Sequence, residues 1–358
     1  SMNTQIKSFF DDSEYKSNFT LWEKERVPVD ALVQASTYRG VLLKHSKKSN
    51  KYKERYFILS HNRLYCARKV NSGKTMGYLN LQFATCVFEK ERVNEQAVFC
   101  MKLMRNGRCV KLLAKDKDAV RALQEAIKPH VIQTNFHDVY EAKKLIGQGA
   151  FASVYMCVHK QSGEKVAVKT LSRKKAGESK EGRELILNEI DISASLDNQH
   201  LMRVLEVFES PSSIYIVFEL LEGGDLVSFL KTQEYLSHQD IYTIVRTLLK
   251  GLLFLQMNGI LHRDIKPDNI LLKRKGDMDF TQIKIVDFGL ATRTQVDNYI
   301  VNRCGTPGYM APEVIKYQAG VSPKLTFKCD VFSVGIILYF IITGKKPFLA
   351  KSVEELIK

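Results

Sequence analysis

The most informative side chains of this sequence lie in its C-terminal two thirds and suit the chemistry of phosphate groups. Gly147 and Gly149 follow a short apolar segment, and a turn without Cβ atoms lets the backbone approach a phosphate closely. Lys169 follows on a second apolar segment and supplies a positive charge. Glu189, within a helical pattern, is a carboxylate able to hold that lysine in place. Together these residues predict a site for a polyphosphate.

A second set of polar residues supplies the groups that a transfer reaction needs. Asp264 is a candidate to accept a proton from an attacking hydroxyl and to orient that hydroxyl. Asn269 and Asp287 offer oxygen ligands, which suit a hard cation such as Mg²⁺. One such carboxylate alone would be interpreted as a surface or capping residue. The whole set favours phosphoryl transfer, because that reaction depends mainly on positioning and on neutralisation of charge.

The order and spacing of these segments resemble the eukaryotic protein kinase family over about residues 138–358. The resemblance is carried by residues 145–154, 166–169, 262–269, 287–289 and 311–313. It implies a bilobal kinase fold that uses ATP and Mg²⁺ as cofactors and protein hydroxyls as acceptors. It also implies an ATP site formed by Ile146, Gly147, Gln148, Gly149, Val154, Ala167, Lys169, Glu219, Leu221 and Asp225.

Further residues resemble one class of kinase. Lys266, two residues after Asp264, and the segment 305–309 are typical of serine/threonine kinases. The resemblance therefore implies Lys266 as a catalytic residue beside Asp264, Lys169 and Glu189. Segments 188–192 and 283–290 are similar to the calmodulin-dependent kinase group.

The resemblance implies an activation loop at about residues 290–310. Its hydroxyl groups belong to Thr292, Thr294, Tyr299, Thr306 and Tyr309. The position where related kinases carry a phosphorylated residue holds Asn302, as in death-associated protein kinases, and asparagine is not a phosphate acceptor. We therefore expect activity without activation-loop phosphorylation. The alternative is that Thr294 or Tyr299 acts as a displaced acceptor.

The composition separates the N-terminal third of the chain from the kinase-like region. The 358 residues carry 54 Lys and Arg against 39 Asp and Glu. Residues 36–135 alone hold 21 basic and 7 acidic side chains, which indicates contact with a polyanion. Nucleic acid, an anionic membrane and inositol phosphates are the candidates.

Other features of the composition exclude whole classes of protein. The apolar fraction of 45% excludes general disorder. No apolar run is long enough to span a bilayer. The seven cysteines are scattered without a C-x-x-C pair, so neither a disulfide framework nor a zinc site is indicated. We expect a cytoplasmic location.

The basic region reads as strands followed by one helix. Short β-branched and aromatic runs alternate with polar turns over residues 38–109, and a helical pattern begins at Asp116 and stops at Pro129. This arrangement resembles a pleckstrin-homology (PH) domain over residues 37–133. The resemblance implies a β-barrel or sandwich closed by a C-terminal helix.

Three cations of this region resemble the pattern of PH domains that bind 3-phosphorylated inositol lipids. Lys44 lies on the first strand, and Lys53 and Arg55 lie on the same face of the second strand because side chains alternate. We expect phosphoinositide binding with reversible membrane association, and we do not expect nucleic acid as a partner. The alternatives are non-specific attachment to an anionic surface, a protein ligand, or docking onto the kinase region of the same chain.

The sequence thus predicts an α+β multidomain chain. We expect an N-terminal tail over residues 1–36, a PH domain over 37–133 and a kinase domain over 134–358, an order similar to that of protein kinase D. Because the sequence stops soon after Glu313, we expect the large lobe to be incomplete. The predicted function is ATP-dependent serine/threonine phosphorylation, recruited or regulated by the PH domain. The alternative is a lipid-binding adaptor or scaffold with an inactive kinase domain.

Overall fold

The computed structural model describes most of the chain. The described residues are 8–10, 21–46, 51–93, 96–114, 116–149, 152–233, 235–276, 278–294, 304–318, 322–348 and 354–355. The chain divides into two compact units, Ser1–Glu178 with Val204–Phe218 and Ser179–Arg203 with Glu219–Lys358. Strands dominate the first unit and helices the second, so the prediction of an α+β multidomain chain is confirmed.

The N-terminal part of the first unit is an antiparallel sheet. Its strands are β1 (Trp22–Glu23), β2 (Tyr38–Ser46), β3 (Lys51–Ser60), β4 (Arg63–Ala67), β5 (Gly77–Asn80), β6 (Ala84–Val93), β7 (Gln96–Arg105) and β8 (Arg108–Ala114). They lie in the order β1-β5-β4-β3-β2-β8-β7-β6. Alternate side chains point to one interior, where Leu42, Phe57, Leu64, Leu79, Met101 and Leu112 are buried together.

Part of the predicted N-terminal tail is packed onto this sheet. Strand β1 pairs with the edge strand β5, and helix α1 (Val29–Val33) packs Val29 and Leu32 against Ile58 and Tyr65 on one face of the sheet. The amide of Asn80 donates to the carbonyl of Leu21 over 3.1 Å. A Cβ atom at Gly77 would lie 2.2 Å from the carbonyl oxygen of Glu23, so this approach requires glycine. This pairing could not be predicted, because a two-residue strand has no measurable periodicity.

Helix α2 (Lys117–Ile127) forms where the sequence predicted it. The carboxylate of Asp116 accepts a hydrogen bond from the amide of Asp118 at the beginning of the helix. Val120, Leu123 and Ile127 are buried against the strands. A 3-10 turn containing Pro129 follows, because proline lacks the N–H that a continuing helix needs.

A short strand joins the first domain to the next sheet. Strand β9 (Val131–Gln133) pairs in parallel with β6 on one side and with β13 (Val204–Glu209) on the other. Among the described residues, the first unit therefore contains one continuous sheet of 14 strands. Its remaining elements are α3 (Phe136–Val139), β10 (Tyr140–Gln148), β11 (Ala152–His159), β12 (Lys165–Ser172), α4 (Arg173–Gly177) and β14 (Ser213–Glu219).

The second unit is built around helices. Its helices are α5 (Lys180–Ser195), α6 (Leu226–Thr232), α7 (His238–Met257), α8 (Pro312–Ile315) and α9 (Lys328–Thr343). Its strands are β15 (Ile260–Leu261), β16 (Ile270–Leu271), β17 (Lys284–Ile285) and β18 (Thr292–Arg293), which pair as β15 with β18 and β16 with β17. Within the described ranges, no helix combines the length and apolar character needed to cross a membrane.

Candidate functional site

The carboxylate of Asp264 lies at the centre of a set of hydrogen bonds in the loop after β15. Its Oδ1 accepts a bond from the hydroxyl of Thr306 over 2.6 Å. Its Oδ2 lies 2.8 Å from the ammonium of Lys266 and 3.1 Å from the amide nitrogen of Asn269. Lys266 also donates to the Thr306 hydroxyl over 2.8 Å. Three residues from two segments therefore fix the orientation of one carboxylate.

A buried carboxylate on α9 accepts hydrogen bonds from the backbone of this loop. Asp330 accepts hydrogen bonds of 2.8 Å from the amides of both His262 and Arg263. Burial raises the pKa of the Asp330 carboxyl above its ordinary value. Arg263 has a φ of 66°, a left-handed conformation that is costly for a residue with a Cβ atom. The two bonds to Asp330 thus support a strained turn directly before Asp264.

The predicted cation ligands lie on two adjacent segments. The amide of Val286 donates to the carbonyl of Asn269 over 2.9 Å, which ties the segment of Asp287 to the loop of Asp264. Asp287 itself has a φ of 65°. A Cβ atom placed on Gly289 would lie 3.3 Å from a carboxylate oxygen of Asp287 and 3.6 Å from one of Glu189. The structure thus brings Glu189 to the segment that carries Asp287.

The predicted phosphate-binding residues of the first unit lie on three neighbouring strands. The amide of Gly149 donates to the carbonyl of Ala152 over 2.8 Å and closes the turn between β10 and β11. Gly147 pairs with Val154 across that turn. Val154 in turn pairs with Lys169 on β12. Gly147, Val154 and Lys169 therefore lie side by side on three adjacent strands. Ala167 is buried on the same strand. On β10, Ile146 is exposed and Gln148 is the last residue.

The remaining residues of the predicted ATP site, Glu219, Leu221 and Asp225, lie between the end of β14 and the beginning of α6. Glu219 accepts a bond of 2.6 Å from the ammonium of Lys284. Leu221 is buried in the segment that follows. The carboxylate of Asp225 accepts bonds from the amide and the hydroxyl of Ser228 over 2.8 and 2.7 Å, and so caps α6. Capping is therefore one role of this carboxylate.

The hydroxyls of the predicted activation loop lie in different environments. Thr292 is buried on β18, and the Thr294 hydroxyl donates to the carbonyl of Gly259 over 3.3 Å. Thr306 contacts Asp264, as described above. Tyr299 and Asn302 lie outside the described residues. Thr292 is thus buried, and the hydroxyls of Thr294 and Thr306 make hydrogen bonds within the second unit.

The three predicted lipid-binding cations share one face of a strand pair. Lys44 lies directly opposite Lys53, and Arg55 lies opposite Leu42. Leu42 is buried in the barrel interior, so Lys44, two residues further along β2, continues the inward face toward the end of the strand. The structure thus brings the three cations to one mouth of the barrel.

Lys44 has an aromatic neighbour that the sequence did not predict. Its ammonium nitrogen lies 3.1 Å from the centre of the Trp22 ring on β1. Burial lowers the pKa of Lys44 to about 8; the neighbouring Cys66 opposes this shift and the positive charge of Arg55 adds to it. An amine with this pKa is only partly protonated in mildly alkaline solution.

The first domain and the sheet of β13 are also joined by side chains. The carboxylate of Glu206 on β13 lies 2.9 Å from the ammonium of Lys128 and 3.1 Å from the amide nitrogen of Gln133. The Phe10 ring stacks on Phe83 at 5.5 Å between ring centres. The amide of Phe9 donates to Glu209 over 3.1 Å.

The contacts of three residues were not predicted from the sequence, although each residue is unusual for its position. Asp330 is a carboxylate beside an otherwise apolar helical run, Glu206 interrupts an apolar strand, and Trp22 is the single tryptophan of the chain. A charged residue in an apolar element is costly to bury without a partner. Such positions point to a specific contact even when the sequence does not reveal the partner.

Comparison with known families gives two matches. The protein kinase domain model matches residues 140–358, and the PH domain model matches residues 36–128. The first match covers more than half of the chain.

Individual relatives cover mainly the kinase region. Serine/threonine-protein kinase 33 of Bos taurus is 34% identical over 238 residues, which are 64% of this chain and 47% of the relative. Serine/threonine-protein kinase cds1 of Schizosaccharomyces pombe is 35% identical over 244 residues, 67% of this chain and 52% of the relative. Calcium-dependent protein kinase 4 of Plasmodium falciparum is 32% identical over 223 residues, 62% and 41% of the two chains. The chain spans about half the length of these relatives.

These matches agree with the hydrogen-bonded loop around Asp264 and with the barrel closed by α2. The relatives named as serine/threonine kinases and as a calcium-dependent kinase support the predicted subgroup. The chain therefore belongs to the protein kinase family, within its serine/threonine, calmodulin-dependent kinase-like group, and carries an N-terminal PH domain.

Proposed function

We propose that the protein transfers the γ-phosphoryl group of ATP to serine or threonine hydroxyls, with Asp264 as the residue that orients the acceptor and accepts its proton. The observation that carries this proposal is the fixed carboxylate of Asp264, held by Thr306, Lys266 and Asn269. Such preorganisation reduces the reorganisation needed during the reaction. Lys266 would stabilise negative charge beside the acceptor oxygen.

The surrounding residues suit ATP and its metal ion. Because the amide nitrogen of Asn269 donates to Asp264, its amide oxygen is the atom left to serve as a cation ligand. Asn269 and Asp287 would hold Mg²⁺, which neutralises phosphate charge when bound. Lys169 would bind the α- and β-phosphates, positioned by Glu189, with the glycine turn around them.

The test is phosphorylation of a basic peptide by the full-length protein. We expect incorporation of phosphate on Ser or Thr that requires ATP and is lost when EDTA removes divalent cations. An inactive kinase domain serving as a scaffold would bind the peptide or nucleotide without turnover. Absence of any phosphate transfer by the full-length protein would therefore favour the scaffold.

We propose further that the PH domain binds phosphoinositide headgroups through Lys44, Lys53 and Arg55. Their shared face supports this, because clustered cations at one barrel mouth match the closely spaced charges of a phosphorylated inositol. Each cation near an anionic lipid surface contributes about 1 kcal/mol to attachment. Reversible association with the membrane would follow from this site.

A double variant tests whether binding is headgroup-specific. In the full-length protein, Lys53→Ala with Arg55→Ala should abolish selectivity among vesicles that contain different phosphoinositides. The matched control is Lys69→Ala with Lys74→Ala, which removes two exposed cations from the β4–β5 connection. If both double variants weaken binding equally, the basic surface acts only through its net charge.

The contacts of Glu206 favour a second role, namely regulation of the kinase region by the PH domain. Glu206 is buried, and Lys128 and Gln133 from the first domain are its partners. Loss of the partner of a buried carboxylate strongly destabilises the fold around it. Because Glu206 lies on β13, movement of the first domain would disturb that strand. Lys128→Ala should therefore change peptide phosphorylation in the absence of lipid, while the exposed Lys117→Ala should not. Equal activity of both variants would contradict this role.

A further inference from the structure

One face of helix α5 contacts the segment that follows Asp287. Asn188, Asp191 and Ser195 recur at intervals of three and four residues, so they project from the same side of the helix. The amide of Asn188 donates to the carbonyl of Ala291 over 2.6 Å, and both residues are buried. The helix is thus attached to the beginning of the activation loop by a backbone carbonyl.

A charge pair extends this attachment by two residues. The guanidinium of Arg293 lies 3.5 Å from the carboxylate of Asp191 and donates to the Ser195 hydroxyl over 3.4 Å. The Asp191 side chain is only 6% exposed and that of Arg293 is 30% exposed. Water therefore screens this pair less than a surface pair, and the buried carboxylate depends on its neighbours for compensation.

The position of Arg293 is fixed independently of the helix. Arg293 lies on β18 and pairs with Ile260 on β15, the strand that leads into the catalytic loop. The guanidinium of Arg263 in that loop donates to the carbonyl of Leu290 over 2.8 Å. The charge pair therefore joins α5 to a segment that is already attached to the loop of Asp264.

The same helix carries Glu189, to which the proposed function assigns the positioning of Lys169. Its carboxylate lies beside Gly289, in the segment of Asp287. A shift of α5 would therefore displace Glu189 relative to Asp287. Reacting groups displaced by about 1 Å typically cost about a hundredfold in rate.

We infer that Asp191 and Arg293 are positioning residues that keep helix α5 in its active place without a phosphate in the activation loop. The electrostatic attachment that a phosphorylated residue provides in other kinases is supplied here by a pair of ordinary side chains. This inference rests on the proposed kinase activity, in which Glu189 positions Lys169.

The experiment uses full-length, phosphatase-treated protein and a double-mutant cycle. We expect Arg293→Gln and Asp191→Asn each to lower kcat about 10- to 100-fold and to raise KM for ATP, with KM for the peptide unchanged. The double variant should be no worse than either single variant, because both remove the same interaction. Arg293→Lys should retain most activity, since it keeps the charge. The control Arg246→Gln removes an exposed arginine from α7 and should have no effect.

Two further measurements separate positioning from loss of folding. The double variant Asp191→Asn with Arg293→Gln leaves no buried charge of this pair without its partner, so its thermal unfolding midpoint should lie within a few degrees of the unchanged protein while its kcat stays low. If the unchanged protein is active and Arg293→Gln has the same kcat, this inference is overturned and the proposed function stands. If the unchanged protein itself is inactive, the proposed function is overturned. Wild-type activity that disappears on phosphatase treatment and returns on phosphorylation of Thr294 or Tyr299 would also overturn the inference.

Discussion

The loop around Asp264 and the barrel mouth around Lys44 hold their functional groups in opposite ways. In the loop, the carboxylate of Asp264 has a partner on each oxygen, and the flanking residues Arg263 and Ile265 are buried. At the mouth, Lys53 is exposed and Arg55 bonds the backbone carbonyl of Glu54 next to it. A reacting group must be oriented before the substrate arrives, whereas cations that bind a headgroup act through charge and can adjust their side chains.

The backbone of the catalytic loop is strained, whereas that of the barrel mouth is regular. Arg263 and Asp287 both have positive φ values, and such residues cost about 1–3 kcal/mol each. Lys44, Lys53 and Arg55 lie in regular paired strands. The strain of the catalytic loop persists because surrounding contacts, chiefly those of Asp330, determine its conformation. Strain and buried support thus mark the region where orientation matters most.

Removal of the oriented carboxylate should have the largest effect. Asp264→Asn in the full-length protein should lower kcat about 100- to 10,000-fold, because an amide does not accept the acceptor's proton. Peptide phosphorylation at saturating ATP measures it, and vesicle binding should be unchanged. A variant that keeps more than a few per cent of the turnover would show that Asp264 is not the base.

Removal of the support below the loop should come next. Asp330→Ala leaves the buried amides of His262 and Arg263 without an acceptor and should lower the free energy of unfolding by about 2–4 kcal/mol. Chemical denaturation measures this loss. Asp330→Asn retains one acceptor oxygen and should cost less than Asp330→Ala. Equal stability of the alanine variant and the unchanged protein would mean that the loop holds its shape by other contacts.

Headgroup binding at the barrel mouth should depend on pH through Lys44. Because the pKa of Lys44 is lowered to about 8, its ammonium is present below that pH and is lost as the pH rises through it. Headgroup binding should therefore weaken about fourfold between pH 7 and 9, since one cation contributes about 1 kcal/mol and most of its charge is lost over this range. Lys44→Arg should show a flat profile over this range, because a guanidinium stays charged. The same decline in both proteins would exclude Lys44 as its source.

The smallest effect is expected from the aromatic neighbour of that lysine. Trp22→Ala should tighten headgroup binding about threefold, because the ring no longer competes with phosphate for the Lys44 ammonium. Trp22→Phe retains an aromatic face and should lie between the two. Vesicle titration at pH 7 measures the difference. Weaker binding in Trp22→Ala would indicate that the ring helps to form the site.

Some features could be predicted because they depend on local chemistry. Helix α2 was predicted from its apolar spacing, Asp116 at its beginning and Pro129 after its end. The placement of Lys53 and Arg55 on one face of their strand followed from strand alternation. The glycine turn, Lys169, Asp264 and Asp287 were recognised because their order along the chain is itself the signal.

Only the tertiary structure decided which distant residues meet. Asp330 contacts the catalytic loop from α9, Trp22 covers Lys44, and Glu206 meets Lys128. The partners in these pairs are separated by many residues, and neither periodicity nor spacing encodes such contacts. A sequence shows that a charge in an apolar element must be compensated, because its burial is costly. Which partner compensates it depends on the packing of whole elements, and that is decided only when the chain is folded.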